Sequence, residues 1–321
     1  MESSKRGHAA AGESDRASRA GIEDRARSVE DNARSVEAQI VYVAHGSFIN
    51  RRFVAPGVEH NTGQYEAHTV KVRDARPIAG HFKLDTHGFE LVRHVSAVRD
   101  FFDRAEVDAI YPGEVAAAVK AVTGATRVAT LGWMARTSGD LTRFKHRTVG
   151  YTHSGGVQPP AGEAHVDTAP DRADRMARST YERAFTGGPG YSRFLYSSFW
   201  RAFSEPPQDT PLAVCDGRSV RAEEGTTNTM FVVDNIPDES TMLGPMQNED
   251  QVPGAAIFHF SPAHRWWYFS RMTRDEAIVV KFHDSDRARV WRTPHTAFRD
   301  PTFPDAKPRH SIEFRTIAYF E

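Results

Sequence analysis

Hydrophobic and polar residues alternate along much of the chain beyond residue 38, with the period of two that is typical of β-strands. The first such segments are residues 40–43 and 68–73. Further strand-like segments follow at 128–133, 194–203, 212–214, 230–233, 256–260, 265–269, 277–282 and 311–320. Turns with Gly, Pro or acidic residues separate most of them. Many short strands at this spacing predict a sandwich or barrel, and a jelly roll is the simplest fit.

Two segments have the period of an α-helix instead. Residues 114–122 are rich in alanine, with Pro112 near the predicted start and Gly124 just past the predicted end. A second helix is predicted to begin at Pro170, with its apolar face formed by Ala173, Met176, Ala177, Tyr181 and Ala184. The sequence therefore predicts an α+β, mainly β fold in which helices flank the β core.

The first 38 residues differ from the rest of the chain. Ala, Arg, Ser, Glu and Asp dominate them, and the first aromatic residue is Tyr42. Such a stretch buries too little apolar surface to offset its ordering entropy. We predict a disordered polar tail over residues 1–38 and a single domain over residues 39–321.

Composition excludes several classes of protein. The 321 residues carry a formal net charge of -1, which gives no global signal for nucleic acid or an anionic membrane. Cys215 is the single cysteine, so an internal disulfide framework is excluded and a reducing compartment is favoured. No apolar run approaches the roughly 18 residues of a membrane span. We expect a cytoplasmic protein that acts on a small molecule and binds neither nucleic acid nor a membrane. A homodimer is possible.

One tripeptide, His165-Val166-Asp167, has the composition of a metal site. Residues i and i+2 of a strand point to the same side, so both side chains can reach one ion. With His295 far downstream they form two imidazoles and one carboxylate, the set that holds Fe(II) and leaves further positions open. It is the one His-x-Asp/Glu triplet in the chain, whereas composition alone would produce about two.

Other residues compete for these roles, and a surface hydrogen-bonded pair is the plainer interpretation of His165 and Asp167. The competing histidines are His259, His264, His283 and His310. Among them, His283 precedes Asp284, but adjacent strand residues point to opposite faces and rarely share an ion.

Downstream of His295, Arg309 and Ser311 form a candidate site for a carboxylate. A guanidinium binds a carboxylate through two parallel hydrogen bonds, and a hydroxyl adds a third. Arg315 has the same strand parity and is the competitor for this role. A surface ion pair is the plainer interpretation of Arg309.

Eight ordered segments resemble the CmcJ/NvfI type (AsaB-like) of non-haem oxygenase. They are residues 84–92, 111–115 with 123–125, 165–168, 199–201, 211–216, 264–269, 293–298 and 308–315. The resemblance spans roughly residues 40–321. It implies a distorted double-stranded β-helix, a jelly roll or cupin-like core, that uses Fe(II), 2-oxoglutarate and O2. It also implies that His165, Asp167 and His295 bind iron and that Arg309 and Ser311 bind 2-oxoglutarate.

The function implied by the resemblance is that of an Fe(II)/2-oxoglutarate-dependent dioxygenase of secondary metabolism. The reaction would be hydroxylation, desaturation or oxidative cyclisation of a small-molecule intermediate. Two alternatives stay open: a non-haem iron enzyme on the same fold that acts without 2-oxoglutarate, and a non-catalytic jelly-roll binding protein. Succinate formation distinguishes the 2-oxoglutarate-dependent enzyme from the first alternative, and metal binding distinguishes it from the second.

The sequence departs from the family's usual pattern at residues 132–136 and 198–202, which points to a different substrate pocket. Candidate substrate residues are Trp133, Arg136, Arg201, Trp266, Tyr268 and Lys281. Plainer interpretations are that Arg201 reaches solvent and that the aromatic residues belong to the core.

Overall fold

The computed structural model describes residue 30 and residues 33–56, 58–144 and 157–321. Its strands are β1 (Ser35–Val43), β2 (Arg51–Ala55), β3 (Val58–Asn61), β4 (Tyr65–Asp74), β5 (Phe89–Arg93), β6 (Arg127–Thr137), β7 (Val157–Gln158), β8 (His165–Val166), β9 (Arg193–Ala202), β10 (Leu212–Cys215), β11 (Gly225–Val232), β12 (Gly254–Phe258), β13 (Trp266–Tyr268), β14 (Glu276–Asp284), β15 (His295–Ala297) and β16 (His310–Phe320). Its α-helices are α1 (Leu84–His87), α2 (Arg104–Thr123), α3 (Pro170–Ala184) and α4 (Glu239–Leu243).

The strands form two mixed sheets in the described part of the chain. The larger has ten strands in the order β1-β4-β13-β10-β15-β8-β12-β11-β2-β3, and the smaller has six in the order β5-β14-β9-β16-β6-β7. Most neighbours are antiparallel, whereas β4 with β13, β2 with β11, and β6 with β7 are parallel. The prediction of a mainly β protein with few helices is confirmed.

The six-stranded sheet separates two hydrophobic clusters. Along β16, Ile312 and Phe314 pack into a cluster with α2, whereas Ile317 and Tyr319 pack into a cluster shared by both sheets. This follows from the period of two, because alternate side chains leave opposite faces of a strand. The face of β16 that looks toward the larger sheet is therefore available for a site between the sheets.

Helix α2 is longer than the sequence predicted. It begins at Asp103, whose carboxylate caps the backbone N–H groups of Ala105 and Glu106, and it ends at Gly124 in the left-handed conformation. Pro112 lies in the helix interior rather than near its start, so that expectation was wrong. Burial of one face, at Val107, Tyr111, Val115 and Val119, stabilises the helix across a proline that cannot donate its backbone hydrogen bond.

Helix α3 begins at Pro170 as predicted and buries Ala173, Ala177 and Tyr181. At the other end of the domain, β1 begins at Ser35 rather than at residue 39, because it pairs with β4 from Ser35↔Arg73 onward. Of the predicted disordered tail, residues 1–38, the described residues include only residue 30 and residues 33–38. The rest of that prediction lies outside the described residues. Among the described helices, none is long and apolar enough to cross a membrane.

Candidate metal centre

The two predicted metal-binding histidines lie on neighbouring strands of the larger sheet. His165 on β8 and His295 on β15 are direct partners across an antiparallel pair. Asp167 follows β8 by one residue and returns to the same side as His165. Residues 130 positions apart in sequence are thus brought together by strand pairing.

The ligand atoms of the three residues converge. His165 Nε2 lies 3.2 Å from Asp167 Oδ1, and His295 Nε2 lies 3.5 Å from the same oxygen. One ligand atom from each residue lies within 4.8 Å of the other two. The three side chains are almost buried, with 8 to 11% of their surface exposed. Convergence of two imidazoles and a carboxylate in a dry site is what a divalent metal needs.

Backbone carbonyls orient both imidazole rings. His165 Nδ1 lies 2.8 Å from the carbonyl oxygen of Glu163, and His295 Nδ1 lies 3.4 Å from that of Thr293. Each Nδ1–H therefore donates outward, so the lone pair of each Nε2 faces the centre. Phe282 stacks on the His295 ring, with centroids 5.2 Å apart, and helps to fix its plane.

Arg315 holds the second oxygen of Asp167. Its Nε and Nη2 both lie 2.7 Å from Asp167 Oδ2, and its Nη2 also donates to Glu313. Glu313 in turn accepts from Arg136 at 3.1 Å. This row of alternating charges leaves Asp167 Oδ1 directed at the two imidazoles.

Burial and charge shift the pKa values of the centre. Burial lowers the pKa of His165, but the hydrogen bond and charge of Asp167 outweigh it and raise that pKa to about 8. Burial also lowers the pKa of His295, as does the charge of His165. Burial alone would raise the pKa of Asp167, yet the two histidines hold it far below its usual value. The carboxylate is therefore ionised and ready to bind a cation at neutral pH.

Arg309 directly precedes β16 and lines the space beside the centre, and Ser311 is the second residue of β16. Both are buried, and neither Arg309 Nε nor Ser311 Oγ has a hydrogen-bond partner among the described residues. Arg309 Nη1 donates to the carbonyl oxygen of Thr210. Burial, followed by the charge of Arg136, lowers the pKa of Arg309 to about 9, so its guanidinium stays charged at neutral pH. Unpaired buried donors of this kind mark a site for an acceptor ligand.

Two connected cavities meet at the centre. The inner one, about 20 Å³, is lined by His165, His295 and Arg309. The outer one, about 810 Å³, is lined by His165 and Asp167 together with Trp133 and other residues. Both include Arg136 and Glu313 in their walls.

Of the six candidate substrate residues, Trp133 and Arg136 line the outer cavity. The other four do not line either cavity in the described structure. Arg201 is buried near Phe101 and Tyr111 in the cluster with α2, and Lys281 pairs with Asp284. Trp266 and Tyr268 are buried in the core shared by the two sheets.

Glu313 and the contribution of α3 to the cavity wall are not among the residues and elements that the sequence predicted for the site. Glu313 shares the strand parity of Arg309, Ser311 and Arg315, so the period of two could have indicated it. The contribution of α3 depends on how this helix packs against the sheets, which local periodicity does not reveal.

A second cluster of potential ligands is formed by Glu30, His81 and His87. The Glu30 carboxylate already accepts from Arg218 at 2.8 Å and from Arg265 at 3.3 Å. His87 Nδ1 accepts from a backbone N–H, which places the proton of the neutral ring on Nε2. Two cations on the carboxylate and a protonated Nε2 disfavour a metal there.

Comparison with known proteins gives consistent matches over most of the chain. A family model described as an oxidoreductase/YMDC permease-like domain matches residues 43–319. The chain is 33% identical over 263 residues to the hydroxylase/desaturase CTB9 of Cercospora beticola, covering 80% of this chain and 78% of CTB9. It is 31% identical over 280 residues to the Fe(II)/2-oxoglutarate-dependent dioxygenase nvfI of Aspergillus novofumigatus, covering 82% and 87%. A solved structure of the iron and alpha-ketoglutarate-dependent endoperoxidase NvfI matches with a TM-score of 0.70 at 28% identity, covering 89% of this chain and 98% of that one.

Proposed function

Because this chain belongs to the family of Fe(II)- and 2-oxoglutarate-dependent oxygenases that includes CTB9 and NvfI, we propose that His165, Asp167 and His295 are its iron ligands. The protein is an oxidoreductase that acts on a small-molecule intermediate of secondary metabolism. The observation that carries the assignment is the convergence of two Nε2 atoms and one carboxylate oxygen in an almost buried site.

The three residues fit Fe(II) in donor type and in orientation. Imidazole and carboxylate are the donors of the facial triad, which leaves the remaining positions for other ligands. The carbonyls behind His165 and His295 fix both tautomers, and Arg315 fixes Asp167. Three ligands held in this way keep one side of the metal open.

Arg309 and Ser311 fit the far carboxylate of 2-oxoglutarate. The unpaired Arg309 Nε and Ser311 Oγ are two donors without acceptors, whereas Arg315 is engaged with Asp167 and Glu313. The sequence left open whether Arg309 or Arg315 binds 2-oxoglutarate, and these contacts favour Arg309. Because the inner cavity is only about 20 Å³, its walls must move apart to admit the co-substrate.

When bound at His165, Asp167 and His295, Fe(II) with 2-oxoglutarate and O2 would supply the oxidising chemistry, with succinate and carbon dioxide as co-products. The chain's own residues bind the metal, hold the co-substrate and place the substrate beside the open side. Burial of His165, Asp167 and His295 excludes water from the reacting atoms. Placement of the substrate carbon decides among hydroxylation, desaturation and oxidative cyclisation.

The outer cavity is the substrate site in this proposal. Its volume of about 810 Å³ falls within the range of pockets for drug-sized ligands. Trp133 supplies an apolar wall and Arg136 a polar edge near the centre. Asn228, 5% exposed, also lines it and has an unpartnered Oδ1 that can accept from a substrate hydroxyl or amide.

We also propose that the two sheets are the halves of a double-stranded β-helix, or jelly roll, with the metal at one mouth. Support comes from the position of the centre between the larger sheet, which carries His165 and His295, and β16 of the smaller sheet.

Succinate production tests the function. Purified protein with Fe(II), ascorbate and 2-oxoglutarate in air should form succinate slowly without substrate, and His295→Ala should abolish it. The exposed His45→Ala is the control and should behave as wild type. Oxygen consumption without succinate would instead support an iron enzyme that does not use 2-oxoglutarate.

A further inference from the structure

One face of helix α3 forms part of the wall of the outer cavity. Arg175, Ser179 and Arg183 follow one another at intervals of four residues, and all three line the cavity. Residues four apart lie on the same side of a helix. The two guanidinium groups extend from positions about 12 Å apart along the helix axis, with the Ser179 hydroxyl between them.

Neither arginine has a carboxylate partner among the described residues. Arg175 Nη2 donates to the backbone carbonyl of Asp250 at 2.7 Å, and Arg183 Nη2 donates to Thr180 Oγ1 at 3.5 Å. These contacts leave most of the donor groups of both side chains available. Both residues are exposed to solvent as well as lining the cavity.

Other arginines of the cavity are neutralised within its wall. Arg52 pairs with Glu59 at 2.7 Å, and Arg136 pairs with Glu313. The complete lining contains six arginines but four acidic residues, and one of these is the proposed iron ligand Asp167. The cavity therefore carries an excess of positive charge, and its unpaired part lies on α3.

Much of the cavity lining is apolar. Leu131, Trp133, Met176, Met230 and Val252 contribute to it. A ligand that fills about 810 Å³ must bring an apolar body as well as any charged group.

We propose that the substrate is an amphiphilic organic acid whose anionic end lies against the face of α3 that carries Arg175 and Arg183, with its apolar body extending toward His165 and Asp167. The oxidation of that body rests on the proposed function, whereas the anion site rests on the cavity alone. A carboxylate, sulfonate or phosphate would satisfy the same donors. The two arginines are specificity residues for substrate binding and do not touch the reacting atoms.

Binding of two fluorescent probes to the metal-free protein tests this proposal. The probes are 1-anilinonaphthalene-8-sulfonate, which is anionic, and N-phenyl-1-naphthylamine, its neutral relative. We compare wild type with Arg175→Gln/Arg183→Gln. Arg178→Gln is the matched control because Arg178 is an exposed arginine of the same helix that does not line the cavity.

The double variant should bind the anionic probe about tenfold more weakly, the effect of losing two partly exposed charge contacts, and the neutral probe with unchanged affinity. Arg178→Gln should bind both probes as wild type does. Equal affinities of all three proteins for the anionic probe would overturn the proposal, as would an equal loss in Arg178→Gln. Since no iron or 2-oxoglutarate is present, failure here is separate from failure of the oxygenase assignment.

Discussion

Arg315 lies on β16 and Arg309 lies six positions earlier, just before that strand, and their contacts separate their proposed roles. Arg315 makes an ion pair with Asp167 and another with Glu313. Arg309 keeps Nε unpaired next to the unpaired hydroxyl of Ser311. The sequence showed two arginines of equal parity, and only the positions of the acidic side chains distinguish them.

Replacement of Arg309 by alanine should weaken 2-oxoglutarate binding by about 10- to 100-fold, because a charge-assisted hydrogen bond contributes about 1.5–3 kcal/mol. Fe(II) affinity should stay close to that of wild type. Two anaerobic titrations measure these affinities: the metal-free protein is titrated with Fe(II), and the Fe(II)-loaded protein is then titrated with 2-oxoglutarate. The exposed Arg99→Ala is the control, and an equal affinity of Arg309→Ala and Arg99→Ala for 2-oxoglutarate would reject the assignment.

His87 should make the fold sensitive to acid. It is 2% exposed, and burial, followed by the charge of Arg218, lowers its pKa from 6.5 to about 4. A depressed histidine pKa gives stability that is present above pH 6.5 and is lost as the pH falls toward 4. Between pH 7.5 and 5 this residue should cost about 2 kcal/mol of the free energy of unfolding.

Urea unfolding at both pH values measures this effect in wild type and His87→Asn, whose side-chain oxygen can still accept from the Lys83 N–H that now donates to His87 Nδ1. The variant should lose about 2 kcal/mol less than wild type on acidification. Identical losses in the two proteins would show that His87 does not titrate in this range.

At the scale of elements, the junction between α1 and β5 depends on Gly88. Its φ of +89° is left-handed, and an added Cβ would lie 1.8 Å from Thr293 Oγ1. Thr293 is buried and lies two residues before His295. The end of α1 is therefore packed directly against the segment that leads into β15.

Substitution of Gly88 by alanine should reduce the free energy of unfolding by about 2 kcal/mol or more, through backbone strain and overpacking. Gly113→Ala is the matched control, since Gly113 lies inside α2 with nothing within 4 Å of its added Cβ. That change should stabilise the protein by about 0.5–1 kcal/mol. Urea midpoints that fall equally in both variants would contradict this account of Gly88.

Local sequence patterns predicted which helices and strands form better than they predicted where each one begins and ends. The period of 3.6 placed Ala173, Ala177 and Tyr181 on the buried face of α3, and the structure confirms this. The same kind of pattern predicted the start of α2 too far along the chain, because proline is favoured in the first turn of a helix. Burial of Val107 stabilises an earlier start, which leaves Pro112 in the helix interior. The short strands β7 and β8 have two residues each, too few for a periodic signal.

At the scale of the whole molecule, the site combines the two sheets: the proposed metal ligands lie at β8 and β15 of the larger sheet, and Ser311 and Arg315 come from β16 of the smaller one. The motif and the resemblance identified His165, Asp167 and His295, and the structure brings these residues together. The substrate cavity could not be predicted in the same way. Its wall takes side chains from β2, β6, β11, β12, α3 and β16, and their relative placement is a property of packing rather than of local sequence.

The attachment of the N-terminal region gives a test at this scale. The Glu30 carboxylate is buried and pairs with His81, Arg218 and Arg265. Deletion of residues 1–29 should leave the free energy of unfolding unchanged, whereas Glu30→Ala should lower it by about 1 kcal/mol, because His81, Arg218 and Arg265, each about one third exposed, lose a shared buried carboxylate. Urea unfolding measures both, and a deletion as destabilising as Glu30→Ala would contradict the expectation that residues 1–29 add nothing to the stability of the domain.

In the proposed centre, His165, Asp167 and His295 hold Fe(II) with one side open for 2-oxoglutarate beside Arg309. The most direct measurement is anaerobic: Fe(II) and 2-oxoglutarate are added to the protein, and the visible spectrum is followed for their weak charge-transfer band. The band should appear in wild type, weaken in Arg309→Ala and be absent in His295→Ala. Iron binding without a band in wild type, or a band of full strength in His295→Ala, would contradict the account.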